Sequence, residues 1–112
     1  PALIKPLRED KEAEVRAAAA RALGRAMAKA NAEAREDKKD ELPKFETARE
    51  ALTTALRVDK EAPVREAAAA ALGDVGSDAR QAASSLGVAL KDKEALVSRA
   101  AALALRRMGK DA

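Results

Sequence analysis

The side chains here that could do chemistry are carboxylates, guanidinium and ammonium groups, and a few hydroxyls. Asp and Glu number 19 and Lys and Arg 22 of 112 residues, with no histidine and no cysteine. Zinc sites of the usual kind and a Ser-His-Asp triad are therefore excluded, as are disulfides and thiolate ligands. General acid and base work needs a titratable group with a shifted pKa in a closed pocket. The carboxylates instead alternate with Lys and Arg along helix exteriors, where they are solvated. Ser77, Ser84, Ser85 and Ser98 read as caps or surface residues. Gly73 and Gly76, in LGDVGSDA, superficially suggest a phosphate loop, but their spacing fits neither G-x-G-x-x-G nor a P-loop, and no strand precedes them. Both read as a helix stop. The chain is expected to be non-catalytic, with no metal and no cofactor.

Charged residues make up 37% of the chain, yet the net charge is only +3 and the pI near 9.4. Both signs are interleaved, which describes a mixed solvated surface rather than a one-sided basic face. The nearest approach to such a face is Lys91, Lys93, Arg99, Arg106, Arg107 and Lys110, diluted by Asp92, Glu94 and Asp111. Phe45 is the only aromatic residue, so bases would find nothing to stack on and binding would reduce to salt-dependent phosphate contact. Nucleic acid is not the expected partner. No apolar run approaches the roughly 20 residues of a membrane span, and no signal-like stretch is present. A cytoplasmic location is the expectation, and a start at proline rather than methionine suggests a processed or excised chain.

These groups are positioned by a repeated helical unit. Residues 59–76, DKEAPVREAAAAALGDVG, have close copies at 10–27 (DKEAEVRAAAARALGRAM) and 92–109 (DKEALVSRAAALALRRMG). Each copy follows a short apolar stretch: LIKPL at 3–7, LTTAL at 52–56 and LGVAL at 86–90. Those stretches lie 49 and 34 residues apart, and the excess of 15 falls in the charged segment 28–44, an insertion between units. The units cover about 2–27, 47–76 and 78–109 of a single domain, 1–112.

Helix pairs repeated every 30–50 residues or so are the signature of an α-solenoid, so the fold class is all-α. The first helix is expected over 2–7, kinked at Pro6, which removes a donor and crowds the carbonyl of Ala2. The second starts near Glu14 and presents Val15, Ala18, Ala19, Ala22, Leu23 and Ala26 or Met27 on one face, with Arg16, Ala17, Ala20, Arg21 and Arg25 opposite. It continues past Ala30 and frays over 33–37, where like charges lie four apart. Thr47-Ala-Arg-Glu50 has the form of a capping box, with Pro43 a competing start. Phe45, Ala48, Leu52, Ala55 and Leu56 share an inward face. Val64, Ala67, Ala68, Ala71, Leu72 and Val75 repeat the apolar face after Pro63 in the first turn. In the third unit Ala82, Ala83, Leu86, Ala89 and Leu90 form one helix, and Val97, Ala100, Ala101, Ala104, Leu105 and Met108 the face of the other.

The text of these units resembles the HEAT repeat family, and within it the short type named after phycobilisome lyases. The residues that carry the resemblance are Asp10, Val15, Arg16, Leu23 and Gly24, then Asp59, Pro63, Val64, Arg65, Leu72 and Gly73. The third unit keeps Asp92, Val97 and Leu105 but has Ser98 in place of Arg and Arg106 in place of Gly. The resemblance covers about four fifths of the chain. It implies a right-handed α-solenoid of about three HEAT-like helix pairs, first helices convex and second helices concave. It also implies a structural ladder between repeats, which Asp10 with Arg16 and Asp59 with Arg65 would reproduce, and to which Asp92 belongs. The concave candidates are Arg21, Arg25, Glu66, Ala70, Asp74, Arg99, Leu103, Arg106 and Arg107. A shallow surface with small apolar floors and charged edges suits a peptide or a protein helix.

The expected function is a protein-interaction scaffold or adaptor with a protein or peptide partner. The alternatives are an accessory subunit of a lyase-type enzyme, as the resemblance suggests, and a weak electrostatic nucleic-acid binder. Neither end of the array reads as a dedicated polar cap, so neighbouring repeats, a partner or a homo-oligomer formed through the ends is expected.

Overall fold

A computed structural model of the chain describes residues 3–33, 46–76 and 82–110. Six helices follow one another there: α1 (Ile4–Glu9), α2 (Ala13–Glu33), α3 (Glu46–Val58), α4 (Ala62–Val75), α5 (Ala83–Ala89) and α6 (Ala95–Lys110). They pair as α1 with α2, α3 with α4 and α5 with α6, and the pairs stack with α2, α4 and α6 side by side. The other three helices form a second layer. Among the described residues no strand occurs, and the fold is an all-α solenoid.

Packing is tighter in one layer than in the other. The second helices pack on one another far more extensively than α1 packs on α3 or α3 on α5, so the stack closes toward α2, α4 and α6. Alanine makes this approach achievable. In α4 Val64, Ala67, Ala68, Ala69, Ala71, Leu72, Gly73 and Val75 are all buried, because the helix is covered by α2 on one side, α6 on the other and α3 beneath. Leu7, Leu23, Leu52, Leu72 and Leu86 are the large wedges of the core, each 1% exposed or less. Burying a leucine of this kind contributes about 1.5–3 kcal/mol relative to leaving it in water. Among the described residues no polar side chain is buried.

Close packing also explains two glycines. A Cβ on Gly24 would lie 2.6 Å from Ala71 Cβ and 2.7 Å from Ala71 Cα, and one on Gly73 would lie 3.0 Å from Ala104 Cα. Both sit inside helices where the neighbouring backbone comes closest. Gly73 is therefore a packing residue and not a stop. Gly76 ends α4, with φ at 76° and its N–H donating to Leu72 O.

The structure departs from the expected local pattern in several places. Because α1 begins at Ile4, Pro6 lies in the first turn, where its missing donor costs little, and Asp10 N–H donates to Pro6 O at 3.2 Å. Residues 28–33 of the insertion continue α2, while 34–45, with Pro43 and Phe45, lie outside the described residues. Thr47 falls inside the first turn of α3 rather than before it, so the capping box does not form. On α2, Val15 is 40% exposed and Ala17 and Ala20 are 4% and 0% exposed, the reverse of the expected facing. Ala18 and Ala26 are exposed as well. The cause is tertiary: α2 is buried by α1 and α4, and the Val15 stripe points away from both.

Candidate functional site

The turns between paired helices are joined by guanidinium groups. Arg16 Nε and Nη2 donate to Asp59 Oδ2 and Oδ1 at 2.9 and 3.0 Å, and Nη1 donates to the carbonyls of Asp10 and Lys11 at 2.9 and 3.3 Å. Arg65 repeats the arrangement one unit on, with Asp92 Oδ2 and Oδ1 at 2.9 and 3.1 Å and the carbonyls of Asp59 and Lys60 at 2.9 and 3.2 Å. Each guanidinium thus binds its own turn through backbone oxygens and the following unit through a carboxylate. The planar fork of arginine suits this two-point contact, and the charge strengthens it. Asp10 and Arg16 of one unit meet only through the Asp10 carbonyl.

Each turn carboxylate is oriented in turn. Oδ1 of Asp10, Asp59 and Asp92 accepts the N–H two residues on, at 2.9, 3.0 and 2.9 Å. Burial pushes the Asp59 carboxyl up, but the Arg16 hydrogen bonds, the Glu61 N–H and the charges of Arg16 and Arg65 together hold it below the ordinary aspartate range. Arg65 holds Asp92 low by hydrogen bonding, against a smaller upward push from burial.

A pH dependence of stability follows from these depressed values. The stabilisation from both carboxylates is complete above the unfolded aspartate value of about 3.9 and is lost as pH falls through the lower folded values. Urea midpoints measured from neutral pH down to about pH 2 are expected to fall on the acid side. In Arg16→Ala that fall should be shallower, because one carboxylate has lost its partner. An unchanged acid slope in Arg16→Ala would show that the pair is not the source.

On the inner layer a shallow groove of about 280 Å³ runs between α4 and α6. Its floor is Ala70, Gly73, Ala100 and Ala104, its apolar walls are Leu96 and Leu103, and Glu66, Arg99 and Arg107 stand at the edges. Leu96 is 59% and Leu103 52% exposed. Arg107 Nη1 donates to Asp74 Oδ1 at 2.7 Å; with its partners 48% and 33% exposed, a pair like this stabilises by at most about 1 kcal/mol. A wider trough of about 990 Å³ lies in the outer layer beside Leu56, Ser84, Ser85 and Val88. It is the gap left where α3 and α5 pack loosely, whereas the groove between α4 and α6 lies over two closely packed helices.

The candidate residues divide accordingly. Glu66, Arg99 and Arg107 line the groove and Asp74 holds Arg107. Arg21 and Arg25 are exposed on α2, in register with Ala70 and Asp74 but outside the groove. Arg106 is not among the groove residues: it stands in register with Gly24 and Gly73, on the side of α6 turned away from α4. Leu96 is a groove residue that the sequence reading passed over. Aligning the units would have found it, because Leu96 occupies the place of Glu14 and Pro63.

Helix pairs stacked with like helices side by side define an α-solenoid. Residues 1–29 match the family model for the HEAT repeat, and the six helices form an all-α, HEAT-like solenoid. The match is to the HEAT repeat in general, without the phycobilisome-lyase subtype. No curated protein matches the chain. HEAT repeats commonly mediate protein–protein interaction and are typically non-catalytic. No helix among the described residues is long and apolar enough to cross a membrane.

Proposed function

We propose that this chain is a non-catalytic scaffold that holds a partner protein in the groove between α4 and α6, and that the partner presents an acidic amphipathic helix. The observation that carries the reading is the pair Leu96 and Leu103, exposed to 59% and 52% and set about two turns apart on α6 beside an alanine floor. Leucines one turn and more apart on a surface helix offer anchor points for the apolar face of another helix. Arg99 between them supplies a positive edge, Arg107 beyond them is held by Asp74 and Glu66 stands on α4, and Arg21 and Arg25, exposed on α2, leave the face as a whole positive. An acidic flank on the partner would be steered to this face, with an on-rate that falls as salt rises.

The test is a fluorescence titration with a designed acidic peptide carrying leucines at helical spacing. Leu103→Lys is expected to weaken binding about three- to tenfold, since single apolar anchors commonly contribute about 1 kcal/mol. Reversing Arg21, Arg25 and Arg107 to Glu should slow association and flatten its salt dependence while helicity is kept. Binding that survives both changes would rule out this surface. A gel shift of duplex DNA that Leu103→Lys leaves intact would turn the reading toward phosphate contact.

A further inference from the structure

The two ends of the stack are built from different residues. At the α6 end, the positions that earlier units use to hold the next pair have changed. Arg16 and Arg65 reach forward to Asp59 and Asp92. In their register stands Ser98, whose hydroxyl donates to Ala95 O of its own helix at 3.1 Å. Gly24 and Gly73 admit Ala71 and Ala104, and in their register stands Arg106, which is exposed. A further inner helix approaching α6 would meet a guanidinium side chain where α4 and α6 met only a hydrogen.

At the α2 end the equivalent positions keep their packing character. Ala71 faces Gly24 of the preceding helix, and Val64, Ala67 and Val75 lie four or seven residues from it on the same helical face. All four are buried. In register on α2 stand Val15, Ala18, Ala22 and Ala26, of which Val15, Ala18 and Ala26 are exposed. Asp10 keeps the geometry that lets Asp59 and Asp92 receive arginine, with its Oδ1 fixed by Glu12 N–H at 2.9 Å. Among the described residues no guanidinium reaches its carboxylate, Arg16 meeting Asp10 only at the backbone carbonyl.

We propose that the outer face of α2 docks one more helix pair of the same repeat kind, stacked ahead of α1. That pair presents a glycine to Ala22 and an arginine to Asp10, and α6 is the closed end of the array. Charge and shape both select this occupant. The carboxylate of Asp10 is pre-oriented for a guanidinium, and an alanine stripe accepts a helix only if the facing residue is as small as Gly24 or Gly73. A second copy of this chain, packed head to tail, cannot supply them, because it would offer Ser98 and Arg106 instead.

The test appends a copy of residues 46–81 either ahead of Leu3 or after Lys110 of the full chain. The N-terminal addition is expected to slow amide exchange across α2 about tenfold or more and to raise the urea midpoint. Arg65→Ala within the added copy should remove most of the gain. The C-terminal addition should leave α6 exchange unchanged until Ser98→Arg and Arg106→Gly are introduced, after which it becomes protective. Ala18→Glu provides the control: it should leave the midpoint of the parent chain unaltered and abolish the benefit of the N-terminal addition. Equal protection from both additions overturns the proposal, as does an N-terminal copy that stays unstructured. So does a parent chain that sediments as a dimer dissociated by Ala18→Glu, since a second copy would then be what covers this face.

Discussion

Arg65→Ala is expected to lower the stability of the chain by about 2–4 kcal/mol at neutral pH, with the loss concentrated where α5 and α6 join the stack. Removing one partner of a buried ion pair typically costs about 3–5 kcal/mol, because the other charge is left without compensation. Arg65 and Asp92 retain 12% and 14% exposure, so water recovers part of that cost and the lower figure applies. The substitution also strips the carbonyls of Asp59 and Lys60 of a donor, and each loss is felt to the extent that water cannot replace it. Arg65→Lys should recover little, since an ammonium cannot meet both carboxylate oxygens and two carbonyls from one plane.

The readouts are a urea denaturation curve and amide exchange resolved by segment. Repeat arrays gain stability from interfaces between neighbours, so exchange in α5 and α6 should accelerate more than exchange in α2. Asp92→Ala should cost a comparable amount. The double variant should cost clearly less than the sum of the two, because the interaction is lost only once. Additive losses, or uniform acceleration along the chain, would show that the pair does not hold the units together.

Gly24→Ala is expected to destabilise by about 1–3 kcal/mol, although alanine is the stronger helix former by up to about 1 kcal/mol. Packing reverses the sign of the propensity. The added methyl would sit 2.6 and 2.7 Å from Ala71 Cβ and Cα, and a backbone atom of a neighbouring helix cannot step aside as a flexible side chain can. The same change at Gly73, where the approach is 3.0 Å, should cost less. Gly87 supplies the opposite case. It lies inside α5 with nothing within 4 Å of the would-be Cβ, so Gly87→Ala should stabilise by about 0.5–1 kcal/mol through helix propensity alone. Thermal melts of the three variants test the ordering, and a stabilised Gly24→Ala would mean that α2 and α4 are not in the close contact described.

Much of the architecture was legible because the repeat is written in side-chain size. The sequence shows an apolar stripe every 3.6 residues, a proline in the first turn of α4, and a recurring D-K-E-A turn. These specify helix pairs whatever surrounds them. The phase of α2 was not legible. Val15, Ala18, Ala22 and Ala26 match Val64, Ala67, Ala71 and Val75 in type, yet only the second set is wholly buried. Alanine tolerates both environments, so an alanine-rich helix does not announce which side faces a neighbour. Gly73 misled for a related reason, since a glycine near a helix end reads as a stop until the neighbouring backbone is seen beside it.

The groove shows the same division. Arg99, Leu103 and Arg107 could be placed on an outward face from spacing, but their assembly with Glu66 and Ala70 required α4 and α6 to lie side by side. The charged residues of the turns were visible as types, whereas the partner of each was decided by stacking. Arg16 reaches Asp59, 43 residues away, rather than the carboxylate of Asp10, six residues away. By itself the sequence determined local helix pairs and their repetition, because propensity and periodicity act over a few residues. Only the tertiary structure decided which apolar stripe is covered, which glycine is a contact and which arginine bridges units. Those depend on where a neighbouring helix lies, and the stack places it across the gap between repeats.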